Sequence, residues 1–167
     1  MLQIYCGEGK GKTTASLGLA IRMAGAGMKV AFVQFMKGGD TAELSVLARI
    51  PEITVMRCDR NYGFFNTLSE DDKTELTACH NDLLERAFSG GFDSVILDEF
   101  NFAYGHNLMD CGKAEKLILG AASSIEVVIT GRGPADIFAD SADYISEIKC
   151  VKHPFTKGVN ARKGIEY

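Results

Sequence analysis

The sequence predicts a layered α/β domain with a mainly parallel central sheet covered by helices on both faces. Three observations carry that expectation. Short apolar, β-branched runs alternate with longer helix-like segments along the 167 residues. Most of these runs are apolar on both faces, as strands buried in a parallel sheet must be. Two of them deliver chemistry-bearing residues, "CGEGKGKTT" at 6–14 and Asp98-Glu99, at strand ends, where ligands of such sheets bind.

The elements follow in order. Strands are expected at 2–6, 29–35, 53–57, 94–99, 125–131 and 143–149, because each run is short and rich in Val and Ile. Helices are expected at 12–26, 41–49, 70–89, 112–122 and 134–141. The third is the most regular: Leu76, Cys79, Leu83, Leu84, Ala87 and Phe88 recur at i, i+3, i+7, i+8, i+11 and i+12, which makes one apolar stripe. Ser69 and Asp72 before it have capping-box spacing, and Gly90-Gly91 ends it. By contrast "DRNYGFFNTL" at 59–68 is aromatic and unperiodic, the signature of a functional loop. With three prolines, no repeats and no low-complexity run, residues 1–167 are expected to form a single domain.

Composition narrows the function. Hydrophobic residues at 46% and charged ones at 24% match a soluble globular chain and exclude disorder. No stretch approaches the roughly 18 apolar residues of a membrane span, and "MLQIYC" lacks a secretory pattern, so the cytoplasm is the expected compartment. A net charge of -4 gives no general attraction to nucleic acid. A basic tail, with Lys152, Lys157, Arg162 and Lys163 against Glu166, runs against that balance. The five cysteines, Cys6, Cys58, Cys79, Cys111 and Cys150, are widely spaced without a C-x-x-C pair. Reduced, mostly buried thiols are the expectation.

Strand, glycine loop, Lys-Thr and helix form the context of a phosphate site. Here Gly7, Glu8, Gly9, Lys10, Gly11, Lys12, Thr13 and Thr14 supply it. Backbone N–H groups from Gly7 to Lys12 are expected to converge on an anion, aided by the positive end of the following helix. Lys12 and Lys10 add charge, and the Thr13 hydroxyl suits Mg²⁺. The usual spacing, G-x-x-x-x-G-K-[ST], calls for glycine where Cys6 stands. Asp98 and Glu99 are expected to hold the metal ion, and "TGRG" at 130–133 places Arg132 on the same edge for a phosphate contact. His80 reads as structural beside the apolar stripe, whereas His106 follows the DEFNF strand end. No Ser-His-Asp set or H-E-x-x-H occurs.

With these pieces in place, the chain resembles the P-loop corrinoid adenosyltransferases, the cob(I)alamin or cob(I)yrinic acid a,c-diamide type. The likeness lies in "GEGKGKTTASLGLAIRMAGAGMKVAFVQFMKG" at 7–38, "VILDEFNFA" at 95–103, "VVITGRG" at 127–133 and "VKHPFTKGVNARKGIEY" at 151–167. It implies a P-loop NTPase-like, RecA-like domain that transfers the 5′-deoxyadenosyl group of ATP to the cobalt of a reduced corrinoid, releasing triphosphate. It further implies Mg²⁺ or Mn²⁺ held by Thr13 with Glu99, the preferred carboxylate, or Asp98. Lys10 and Lys12 would act on the leaving triphosphate. The family's own loop lacks the first glycine. Its aromatic loop residues displace the corrinoid's lower ligand, a role that would fall to Phe64, with Tyr62 and Phe65 beside it. Asn66 stands where longer members have tryptophan. Those members also have a preceding segment that helps cover the site. The resemblance implies a homodimer, an electron-donating reductase as partner, and Lys152 and His153 near the nucleotide. Two other readings share some of these residues: a thymidine-type nucleoside kinase, and a non-catalytic ATP-binding corrinoid carrier or regulator.

Overall fold

The computed structural model of the chain describes residues 1–39, 41–63 and 65–165. Strands β1 (Leu2–Cys6), β2 (Val30–Gln34), β3 (Ile53–Arg57), β4 (Ser94–Asp98), β5 (Glu126–Thr130) and β6 (Tyr144–Glu147) build one sheet in the order β3-β2-β4-β5-β1-β6. Every pairing is parallel. Helices α1 (Lys12–Gly25), α2 (Leu44–Leu47), α3 (Glu70–Ser89), α4 (Phe100–Gly105), α5 (Cys111–Ala121) and α6 (Asp136–Ala139) cover it.

Side-chain alternation sorts the strands into two cores. Ala31, Val33, Val95, Leu97, Val127 and Ile129 pack with α3, α4, α5 and α6 through Leu83, Ala103, Ile118 and Phe138. Val30, Phe32, Ile96 and Val128 face the other way, onto Ala20, Met23 and Ala24 of α1 and Leu47 of α2. Each fully buried Val, Ile or Phe contributes about 1.5–3 kcal/mol. The same two-residue period continues to the strand ends. It places Gln34, Asp98 and Thr130 on the α1 side, beneath the glycine loop.

Six strands and five helices fall where the sequence predicts them, with shifted limits. The helix expected at 41–49 is confined to Leu44–Leu47, and that at 134–141 to Asp136–Ala139. Helix α3 opens on the expected capping box, in which the Ser69 hydroxyl accepts from the Asp72 N–H and the Asp72 carboxylate from the Ser69 N–H. Helix α4 is additional. Glu99 turns the chain with φ 59, and the aromatic run behind it coils. Strand β6 departs from the expectation of strands buried on both faces: it is an exposed edge, with Tyr144 57% and Ile145 50% exposed.

The cysteine expectation is corrected on both counts: one pair is oxidised, and only Cys6 and Cys58 are buried, with Cys79 and Cys111 partly so and Cys150 exposed. Cys58, just beyond β3, and Cys79 on α3 form a disulfide with Cα atoms 6.1 Å apart; Cys6, Cys111 and Cys150 are free. The crossover lays α3 back over the sheet and so joins positions 21 residues apart, a proximity that local cysteine spacing does not encode. No helix among the described residues is long and apolar enough to cross a membrane.

Candidate active site

Cys6 is the last residue of β1 and lies in the core, 8% exposed. The position of the missing glycine is therefore strand, and the loop proper starts at Gly7, whose φ is 101. The expectation of loop amides converging on an anion is corrected at two positions. Gly7 N–H donates to the Arg132 carbonyl at 2.9 Å, and Gly9 N–H to that of Ile148 at 2.7 Å. These bonds fasten the loop to the β5 and β6 corners. Gly11, with φ 120, stands at the N-cap of the 14-residue α1, and the first-turn N–H groups of a helix have no partner within it and suit an anion. Lys12 Nζ spans the loop, donating to Gly7 O at 2.7 Å and Gly9 O at 2.9 Å. Lys10 is exposed, as is Glu8, which pairs with the exposed Arg132 at 3.2 Å; solvent leaves such a pair little energy.

Across from the loop, Asp98 is fully buried and accepts three side chains. The Thr13 hydroxyl lies 2.9 Å from Oδ1 and 3.2 Å from Oδ2, the Thr130 hydroxyl 2.8 Å from Oδ1, and Lys37 Nζ 2.6 Å from Oδ2. Thr130 is held by accepting the Glu99 N–H at 3.0 Å. Asp98, rather than Glu99, is thus the carboxylate that touches Thr13. Burial, then the charge of Asp98, pushes the Glu99 carboxyl above its ordinary range, while Lys37, Lys12 and Arg132 pull it back. Glu99 therefore stands among the site's cations without bonding Thr13. The donors suit a hard divalent ion: one hydroxyl and carboxylate oxygens, with nucleotide phosphates able to complete its shell. Among the described residues no cluster of three His, Cys, Asp or Glu forms a self-sufficient metal site.

Lys37 is the residue that sequence reading passed over. It follows β2 as Arg132 follows β5, a basic residue just beyond a buried strand on the same edge, and that signal was present in "QFMKGG". Thr13, Thr14, Lys37, Thr41 and Glu43 form the polar side of a cleft of about 590 Å³ whose apolar wall includes Leu17, Val46 and Ile165. Ile165 brings the basic tail to the cleft. Lys152 in that tail is exposed and His153 half-buried.

Of the aromatic loop residues, Phe64 lies outside the described residues. Phe65 sits edge-on to Phe102 of α4 at 5.5 Å and to His106 at 4.5 Å, while Tyr62 lies under the Arg60 guanidinium at 4.8 Å. His106 stacks on Phe102 at 4.1 Å, belonging to this aromatic cluster rather than to the phosphate loop. His80 is structural as expected: fully buried, with Nδ1 2.8 Å from Leu108 O.

A glycine loop capping a helix, with its Thr against a strand-end carboxylate, defines a phosphate-loop nucleotide-binding protein of the parallel α/β class. The sequence profile of the ATP:corrinoid adenosyltransferases BtuR/CobO/CobP matches residues 1–167, and the chain belongs to that family. It is 33% identical over 170 residues to the corrinoid adenosyltransferase of Escherichia coli, covering 98% of this chain and 84% of that one. It is 30% identical over 169 residues to that of Pseudomonas aeruginosa, with 100% and 83% covered, and 32% identical to CobA of Salmonella typhimurium, with 98% and 84% covered. Among solved structures, a KaiC-like protein of Pyrococcus horikoshii superposes with TM-score 0.49 at 13% identity, covering 89% of this chain and 71% of that one.

Proposed function

We propose that the protein transfers the 5′-deoxyadenosyl group of ATP to the cobalt(I) of a reduced corrinoid and releases triphosphate, in the making or salvage of adenosylated cobalamin. The observation that carries this reading is the match of residues 1–167 to the corrinoid adenosyltransferase family. The phosphate loop and its buried carboxylate supply a physical basis. In the reaction the Co(I) electron pair attacks C5′, a Co–C bond forms, and the C5′–O5′ bond breaks with its electrons passing to triphosphate. The metal centre of the substrate is itself the strong nucleophile. The protein's work is then to bind, orient and exclude water.

Gly7 to Thr14 cradle the triphosphate, and Lys12 with Lys10 stabilises the charge gathering on it as it leaves. Thr13, Asp98 and Glu99 hold Mg²⁺ or Mn²⁺, which when bound neutralises the phosphates. Arg132 reaches the nucleotide from the neighbouring corner. Phe64 acts on the corrinoid's lower face, and its chain neighbour Phe65 packs edge-on to Phe102 of α4. A homodimer, a reductase that delivers the electron, and a cytoplasmic location complete the reading. Neither a thymidine-type kinase nor a non-catalytic corrinoid carrier gains support from the family match.

The test supplies purified protein with ATP, Mg²⁺ and a chemically reduced corrinoid. A light-sensitive Co–C bond together with intact triphosphate is the expected result. ADP formation with a nucleoside acceptor, or corrinoid binding without turnover, overturns the reading. Lys12→Ala should fold normally yet lose turnover by on the order of 10²–10³-fold, the loss typical of one preorganised charge-stabilising donor.

A further inference from the structure

Asp98 is buried from solvent, and among the described residues its ion-pair partner is Lys37, whose side chain is 24% exposed. The same ammonium lies 3.4 Å from the Thr13 hydroxyl. It therefore bridges the hydroxyl and the carboxylate that are the best-placed protein ligands for a divalent ion. Two positive centres cannot share that space. A buried carboxylate without a counter-charge is strongly destabilising, so one cation or the other must be present.

The backbone around Lys37 is arranged to deliver it. Phe35 N–H donates to the Asp98 carbonyl at 3.0 Å, which pins the corner after β2 to the end of β4. Met36 then takes φ 60, a left-handed conformation uncommon for a residue with a side chain. Glu99, at the matching corner after β4, does the same with φ 59. Two such residues at neighbouring strand ends mark a site whose geometry overrides local preference. Because the root of Lys37 is fixed and its stem is long, its ammonium can move while its backbone stays.

We propose that Lys37 is a tethered counter-ion that holds the metal position in the nucleotide-free protein. It releases Asp98 when the metal-bound triphosphate arrives and then turns its charge to the phosphates in the cleft it lines. This rests on the proposed nucleotide chemistry for its second half only; the first half concerns Lys37, Thr13 and Asp98 alone. Lys37 would thereby make metal binding depend on nucleotide: free divalent ions must compete with an attached cation, whereas metal-bound ATP offers the displaced ammonium a new anionic partner.

The test uses Mn²⁺ as probe, with neither ATP nor corrinoid. Lys37→Met should bind Mn²⁺ at least tenfold more tightly than wild type by electron paramagnetic resonance titration. Its melting temperature should fall in chelator and recover with Mn²⁺, while wild type stays insensitive to the ion. Lys37→Arg, which keeps the charge, should resemble wild type. The double variant Lys37→Met/Asp98→Asn, without the buried charge, should fold and show no gain in Mn²⁺ affinity. Equal or weaker Mn²⁺ binding by Lys37→Met, or equal gains in the single and double variants, overturns the proposal. Neither result depends on adenosyl transfer, so a failed turnover assay and a failed Lys37 test remain distinguishable.

Discussion

At Gly9 the loop has no room for a side chain: a Cβ there would lie 2.7 Å from Ile148 O and 2.8 Å from Lys149 O. Both are backbone atoms of the segment after β6, so neither can rotate away. Gly9→Ala should therefore displace the phosphate loop at an overpacking cost of about 1–3 kcal/mol, or about 5–150-fold in ATP affinity by calorimetry. Unchanged affinity would show that the loop is not held by this contact. The requirement for glycine was legible as part of a motif, but its partner was not. Cys6 shows the converse. Its departure from the usual glycine is conspicuous in the sequence and harmless in the fold, because a strand's last residue needs no special backbone freedom.

At the scale of elements, α3 combines a boundary written locally with a tether that is not. Ser69 and Asp72 close the capping box within four residues, so spacing alone discloses it. The Cys58–Cys79 bond ties the start of the 59–68 loop to α3, and no local spacing of cysteines signals it. Closing a loop of this size contributes about 3 kcal/mol, which for a chain of this length corresponds to roughly 6–12 °C in melting temperature. Dithiothreitol should lower the wild-type melting temperature by that amount and leave Cys79→Ser unaffected. An equal response in both would mean that the bond carries no stability. Helix α4 was hidden for a different reason. "FNF" follows β4 after only Glu99 and carries no helical period of its own, and the left-handed turn at Glu99 converts strand into helix.

For the molecule as a whole, one buried histidine sets a pH dependence. His80 lies against Phe35 at 5.0 Å, beneath the sheet. Burial lowers its pKa from 6.5 to about 4, opposed by its bond to the Leu108 carbonyl. The unfolded chain binds this proton below pH 6.5 and the folded chain only near pH 4. Stability is therefore full above 6.5, falls as pH drops through that window, and levels off below the folded value. The total effect reaches about 3 kcal/mol. Urea unfolding at pH 7 and at pH 4.5 should show the loss, and His80→Gln should reduce it; an unchanged slope in that variant assigns the effect elsewhere. By itself the sequence determined the parallel layered fold, most elements, the phosphate loop and the carboxylate pair, because those signals act within one strand, turn or helix face. Tertiary structure alone decided that Asp98 rather than Glu99 meets Thr13, since pleat parity at a strand end is fixed by which layer the strand's other residues join. It alone brought Lys37 to Asp98 across 61 residues, because the pairing of β2 with β4 is a property of the folded sheet and not of either segment.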